Sequence, residues 1–503
     1  MIAIREAAGA RAHTAPPKTR EPLVVFVTGL YSPKGRDSVS IQNRDYMIGL
    51  HDLGMDVRVL DMTAQGDLSS LLKVARVAAT YGAVRGHPRL GGAVAHALVR
   101  QEAWLRPLVG AARYLRRRGS AAPAPASRHS HGDGDRDLVA GMTLKCAHGA
   151  RPIDAASVAC VLSAYDLIYA PAWGGVWKRA IARRLRELLP RACAFQWFVN
   201  LVSETTQVSP AIVRGLEAFD EVWVPAEFHV QALARSGATC RRVFKVPEAV
   251  DTAIFHERVA PARIDGRRDF CFLTVSQYLP DQRAVSTARQ STRDLALLWN
   301  QARKATDLLI QAFLEEFGPD EDVCLAVKST HDQAALSAAL RRVVTERGFP
   351  ESRLAQIVPI GGWSDAADVA RLYAAADAFV LVSRGEGWGR PLAEAMALRK
   401  PTIGANFGGN TEFMTRDNSY LIDCETVPVA SVIGPKFTTM GNWADPSLSH
   451  LRQTLRAVFT DRHSAGEKAA RAAHDVRTNY SRLAVAEVIR HRIRAAFAEH
   501  ASP

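Results

Sequence analysis

Apolar positions along the chain gather into short runs separated by longer stretches of helical period. In the first half the runs are Leu23–Thr28 (LVVFVT), Asp56–Leu60, Cys193–Asn200 (CAFQWFVN), Glu221–Val224 and Val243–Val246. In the second they are Phe270–Ser276 (FCFLTVS), Val323–Lys328, Ile357–Ile360, Ala378–Ser383 and Pro401–Gly404. Runs that are continuous rather than alternating suit strands covered on both faces, and the intervals leave room for crossover helices. Between two of them Val369, Leu372, Tyr373 and Ala376 recur at i, i+3, i+4 and i+7, the apolar stripe of a helix. Near the C-terminus Val485, Val488, Ile489, Ile493, Ala496 and Phe497 make one apolar face, with Ser481 as N-cap. A helix with such a face must dock on another element. The alternation predicts an α/β chain with two parallel sheets. Residues 247–268 carry no clear period and read as the linker between an N-terminal domain (21–246) and a C-terminal one (269–478), with the last helix over 479–503.

Two segments fall outside this pattern. Residues 1–20 read as a disordered tail, and residues 116–137 (RRRGSAAPAPASRHSHGDGDRD), with no large apolar side chain, as a flexible insertion in the first domain. Apolar residues at 48% and charged residues at 23% exclude a wholly disordered chain. No run of about 18 apolar residues is free of charge, so a spanning helix is not expected, and the N-terminus lacks the apolar core of a secretion signal. Seven cysteines without a CxxC pair argue against a disulfide framework or a zinc ribbon, and for a reducing cytosol. The net charge of +13 sits almost wholly in residues 1–250, with 33 Lys and Arg against 21 Asp and Glu. That half is expected to meet something anionic.

The richest chemistry lies in Ser383–Glu412 (SRGEGWGRPLAEAMALRKPTIGANFGGNTE). It follows a buried run, and Pro391 suits the start of a helix because its missing N–H is not needed there. The first amides of that helix lack intrahelical partners and point their positive end into the loop Gly385–Arg390, an anion site suited to a diphosphate. Glycines in the loop admit close approach of a ligand, and Arg390 adds charge. Glu386 in the loop is placed to face a sugar, and Glu394, one turn into the helix, to accept from ribose hydroxyls. The plainer alternative is that Glu394 complements the helix dipole while Glu386 is solvated.

This segment resembles the E-x7-E signature of retaining glycosyltransferases of the GT-B fold, specifically family 4, the glycosyl transferases group 1. DEVWVPAEFHVQALARSG (Asp220–Gly237), VPEAVD (Val246–Asp251), FLTVSQY (Phe272–Tyr278), RKATDLLIQAFLEEF (Arg303–Phe317) and LYAAADAFVLVSRGEGWGRPLAEAM (Leu372–Met396) are similar to the family in the same order. The resemblance implies two Rossmann-like domains facing a cleft, with the C-terminal helix crossing back to the first. It implies catalytic roles for Glu386, at the donor sugar, and Lys304, at the departing diphosphate. It implies donor contacts from Glu394, Arg303, Gly29, Gly387, Trp388, Gly389, Arg390, Leu392, Gly408 and Gly409. Glu204 and Thr205, in Phe195–Pro210, resemble a subgroup with a Glu-Thr pair in place of a histidine and are acceptor-side candidates, with a turn or cap role as the alternative. Between Tyr278 and Arg303 the connection is longer than the family's.

The function expected is transfer of a sugar from UDP-, GDP- or another nucleotide-activated sugar to a hydroxyl of a glycan or lipid-linked acceptor, with no metal and no further cofactor. A catalytically silent sugar- or nucleotide-binding scaffold is the rival. Asp-x-Asp pairs at Asp133/Asp135, Asp135/Asp137 and Asp320/Asp322 read as loop carboxylates, and no motif supports nucleic-acid binding. Residues 85–118 hold eight arginines against one glutamate, interleaved with Leu98, Trp104, Leu105, Leu108 and Leu115; residues 177–191 repeat the style. Such helices suit the anionic inner face of a membrane, with ordinary amphipathic helices carrying solvated arginines as the equal alternative, so the expected location is cytoplasmic and, on the first of these readings, peripheral to that surface.

Overall fold

The computed structural model describes residues 21–28, 38–61, 155, 157–163, 194–239, 242–276, 302–362, 364–429, 431 and 441–501. The expected tail, the insertion at 116–137, both arginine-rich stretches, Gly29 and nearly all of the long connection before Arg303 lie outside these residues.

Two six-stranded sheets form the frame, and every pairing within them is parallel. The first runs β2(Val57–Asp61), β1(Leu23–Thr28), β3(Ser157–Ser163), β4(Ala194–Asn200), β5(Glu221–Val224), β6(Val243–Lys245). The second runs β12(Tyr420–Ile422), β11(Thr402–Ala405), β10(Ala378–Leu381), β7(Phe270–Val275), β8(Val323–Lys328), β9(Gln356–Ile360). An antiparallel hairpin, β13(Cys424–Pro428) and β14(Asn442–Pro446), stands beside the second sheet. The continuous apolar runs behave as expected of strands buried on both faces. In β7, Cys271 and Leu273 join one core cluster while Phe270 and Phe272 join the other. In β1, Leu23 and Val25 face one way and Val24 and Phe26 the other. The strand β3 (SVACVLS), central in the first sheet, and the hairpin were not among the expected strands.

Helix Ala366–Ala375 buries Leu372 and Tyr373 as the stripe predicts. The last helix, Arg482–Ala501, is capped by Ser481, whose Oγ accepts from Ala484 N at 3.4 Å. It returns to the first domain and packs on helix Ser38–Asp52, where Val485, Ile489, Ile493 and Ala496 meet Tyr46, Met47 and Leu50. Full burial of a side chain such as Ile489 contributes about 1.5–3 kcal/mol. Val488, expected on the same face, is 39% exposed, because the docked stripe follows Val485, Ile489 and Ile493 and leaves it at the margin. Gly49 permits the contact: a Cβ there would stand 2.6 Å from Arg482 O. Further along, Arg492 grips the fully buried Glu221 carboxylate through Nε and Nη2 and lies 3.8 Å over the Phe244 ring.

The chain therefore crosses between domains twice, once over Val246–Asp251 and once over Tyr480–Arg482, and the crossings touch. Val250 N donates to Tyr480 O at 2.7 Å, and Val250 bridges Ser481. Asp45, 1% exposed, binds both sides of this joint. Its Oδ2 accepts from Arg390 Nη1 at 3.0 Å and its Oδ1 from Arg482 Nε at 2.8 Å. Arg482 also reaches Asp251 at 2.9 Å. Among the described residues no helix is long and apolar enough to cross a membrane.

Removing one partner from a buried ion pair leaves an uncompensated charge, which costs about 3–5 kcal/mol. Asp45→Ala is therefore expected to lower stability by about that amount in urea unfolding. A loss below about 1 kcal/mol, the ordinary value of a surface pair, would mean that this joint is not what holds the domains.

Candidate active site

Strand β10 ends at Leu381, and the chain then turns through Ser383–Gly389 into helix Arg390–Ala397. Gly389 makes the entry with φ +93, a left-handed conformation open to glycine without strain. Opposite this loop, the helix Thr306–Glu316 begins after Ala305, a fully buried non-glycine residue held at φ 48. A left-handed alanine costs about 1–2 kcal/mol, and here the constraint aims the two residues before it, Arg303 and Lys304, at the loop.

The basic pair and Glu386 meet. Lys304 Nζ donates to Glu386 Oε1 at 2.5 Å, and Arg303 Nη1 lies 3.6 Å from the same oxygen while donating to Gly385 O at 2.8 Å. Glu386 is 7% exposed. Burial alone would raise its pKa, but Lys304 and Arg303 outweigh that and hold the carboxyl below its ordinary range. The Lys304 ammonium is held below its usual range by burial and by Arg303, against the pull of Glu386. The connection lengthened before Arg303 thus leaves the basic pair at the site.

The glycines are required by the chain itself. A Cβ on Gly385 would strike Glu204 O, and one on Gly387 would strike Val202 Cγ1. Loop Leu201–Gln207 of the first domain therefore lies directly on the glycine-rich loop, and Glu204 Oε2 pairs with Arg303 Nε at 3.2 Å. Gly408, at φ +92, and Gly409 back the loop from the other side, with Gly409 N donating to Glu386 O at 2.8 Å. Thr205 closes a turn, its Oγ1 donating to Gln207 O at 2.8 Å, so the turn alternative describes it. Thr206 pairs through its backbone with Asn442 of the hairpin, N to O 3.1 Å.

Three expected donor residues face elsewhere. Trp388 is 3% exposed and packs on Phe413 and Tyr480, at ring-centroid distances of 4.9 and 5.4 Å, which ties the loop to the second crossing. Leu392 is a core side chain at 0% exposure. The Arg390 guanidinium turns to the joint: Asp45 and Ala249 O accept from it at 3.0 and 3.2 Å, and Glu248 stands 3.6 Å away. These carboxylates compensate its burial, which a diphosphate at the loop would otherwise have to do.

Glu394 is buried one turn into the helix, and the Tyr373 hydroxyl donates to its Oε2 at 3.2 Å. Burial pushes the Glu394 carboxyl up to about 7, against Arg390 and the Tyr373 hydroxyl. Burial likewise pushes Glu248 up to about 7, against Arg390, with the like charges of Asp45 and Glu386 adding to the rise. Sequence reasoning did not single out Tyr373 except as an apolar stripe member, nor Asp45 or Glu248. Glu248 alone left a local sign, an acid in the otherwise apolar segment VPEAV before the linker.

Glu412 completes the contacts between domains: it pairs with Lys245 at 2.7 Å and accepts from Glu227 N at 2.8 Å at a helix start. Among the described residues no three His, Cys, Asp or Glu side chains gather as a metal set. Of the Asp-x-Asp pairs, Asp322 accepts from Asp269 N at 2.9 Å, and those at 133–137 lie outside the described residues.

Glu394 holds a proton more tightly when folded than its ordinary value of 4.5 allows. Its contribution to stability is full below that value and is lost as pH rises through about 7. Glu394→Gln is expected to gain stability relative to the unsubstituted chain between about pH 5 and pH 8 in urea midpoints. A relative loss over that range would reverse the sign and refute the assignment.

Residues 296–431 match the family model described as Glycosyl transferases group 1. A search of curated proteins matches none. Among solved structures, sucrose-phosphate synthase from Thermosynechococcus elongatus is 13% identical with a TM-score of 0.54, over 95% of this chain and 100% of that one. The Anabaena protein HepE, solved with UDP and glucose, is 13% identical with a TM-score of 0.51, over 94% and 100%. A glycosyltransferase from Rickettsia africae is 11% identical with a TM-score of 0.52, over 95% and 99%. At such identities the likeness is one of fold, two parallel-sheet domains in the GT-B arrangement. On that fold, the Glycosyl transferases group 1 match spans the region that contains Arg303, Lys304, Glu386 and Glu394.

Proposed function

We propose that this enzyme is a retaining glycosyltransferase that moves a sugar from a nucleoside-diphosphate sugar to a hydroxyl of a glycan or lipid-linked acceptor. The observation that carries the reading is the buried triad of Lys304, Arg303 and Glu386 at the mouth of helix Arg390–Ala397. That the Anabaena neighbour was solved with UDP and glucose, and also with UDP-glucose, supports a nucleotide-sugar donor.

In this reading the diphosphate replaces carboxylates as partner of Lys304 and Arg303 and meets the free amides of the helix start. Lys304 neutralises charge on the departing phosphate. Glu386, held ionised, accepts from sugar hydroxyls and fixes the ring relative to the acceptor. The departing phosphate oxygen takes the acceptor proton on the same face of the sugar, so the anomeric configuration is kept. Neither Glu386 nor Lys304 serves as a nucleophile. Because cationic side chains and helix amides meet the diphosphate, transfer is expected to continue in EDTA. A silent scaffold would have no use for the Lys304–Glu386 pair, and a donor-hydrolysis assay separates the two readings.

Glu394→Ala is expected to weaken nucleotide affinity, and Glu386→Ala to lower kcat more than it raises donor KM. Titration with UDP, GDP and ADP and steady-state kinetics check this; unchanged constants in both variants would sink the assignment. The basic half adds a location. The arginines of 85–118 and 177–191 would hold the enzyme on the anionic inner membrane face beside its acceptor, each contributing on the order of 1 kcal/mol. Co-sedimentation with anionic but not neutral liposomes, lost at high salt, is the expected result. Equal binding to both, or none at low salt, would leave the charge without this role.

A further inference from the structure

We infer that Tyr373 is a positioning residue for the donor nucleotide, fixing one oxygen of Glu394 so that the other is presented to the ribose. This rests on the nucleotide reading above but names a residue outside the two-carboxylate motif.

Tyr373 sits on helix Ala366–Ala375 at 0% exposure. Its ring is locked edge-on against Phe379 at 5.1 Å and Phe255 at 6.2 Å, so the hydroxyl has one place to go. That place is Glu394 Oε2, at 3.2 Å. Among the described residues no other side-chain hydrogen bond to the Glu394 carboxyl is recorded beside that to Oε2. Arg390, the cation on the same helix, is taken up by Asp45, Ala249 O and Glu248 and does not bond Glu394. A carboxylate on an eight-residue helix, with no second anchor, would otherwise turn about its side-chain torsions.

The electrostatics agree with the geometry. The groups around Glu394 are Tyr373 from one helix, Arg390 from its own, Asp45 from helix Ser38–Asp52 and Glu248 from the first crossing. The two acids and burial favour the protonated form, while Arg390 and the Tyr373 hydroxyl favour the carboxylate. A ribose hydroxyl donates to the carboxylate and not to a protonated carboxyl oxygen that must itself donate. Tyr373 thus both aims Glu394 and keeps it an acceptor.

Tyr373→Phe removes the hydroxyl and keeps the ring packing, and calorimetry establishes that the full-length variant folds. The probe is whichever of UDP, GDP or ADP binds best, compared with its 2′,3′-dideoxy analogue by titration. The expected result is about a three- to tenfold weaker nucleotide, with little change for the dideoxy analogue. Donor KM should rise with kcat nearly constant, and the pH below which nucleotide binding fails should move upward. In the double variant with Glu394→Gln the two losses should not add. Equal losses for both ligands, additive losses, or no change would each overturn the inference while leaving nucleotide binding intact. If the unsubstituted chain binds none of the three diphosphates, the nucleotide reading itself fails and this inference falls with it.

Discussion

One carboxylate sits where four segments of the chain come together. Asp45 accepts from Arg390, at the head of the helix that carries Glu394, and from Arg482, at the head of the helix that returns to the first domain. Asp251 takes the remaining reach of Arg482, and Glu248 faces Arg390. Two guanidiniums and three acids are thereby removed from water together, an arrangement that is tolerable only when each charge keeps its partners. The position of the glycine-rich loop relative to the first domain follows from it.

The cleft is closed around its own side chains. The Val202 side chain and the carbonyls of Ser203 and Glu204 lie on Gly387 and Gly385, and Arg303 and Lys304 are occupied by carboxylates. Lys245–Glu412 and the Thr206–Asn442 backbone pair join the domains again on the far side. The glycines, which a sequence reading assigns to ligand approach, answer first to this contact between domains. A ligand and the loop Leu201–Gln207 need the same small residues for the same reason, because both bring atoms to within a Cβ of the backbone.

The parallel α/β frame was legible because continuous apolar runs have few other uses at that spacing. The two glutamates stood out because strand, turn and helix start follow one another locally, whereas the basic pair was singled out only through the family resemblance. The strand β3 escaped because small residues such as Ala159 and Cys160 do not mark a strand by bulk or branching. Trp388 and Arg390 have side-chain partners that are remote in the sequence. Arg390 meets Asp45 across 345 positions, and nothing near either residue announces the other. Tyr373 was legible as an apolar stripe residue but not as a donor to Glu394, since its ring follows the helix period while its hydroxyl does not.

The two crossings lie side by side, joined by the bond from Val250 N to Tyr480 O and the bridge of Val250 to Ser481. A single strand between two bodies would let them swing, slide and spin. Two strands fastened edge to edge make a ribbon, which bends easily across its flat face and resists torsion and in-plane shear. Any rotation of one domain against the other would therefore be steered toward a single axis. Such a rotation would keep the loop Leu201–Gln207 in register with Gly385 and Gly387.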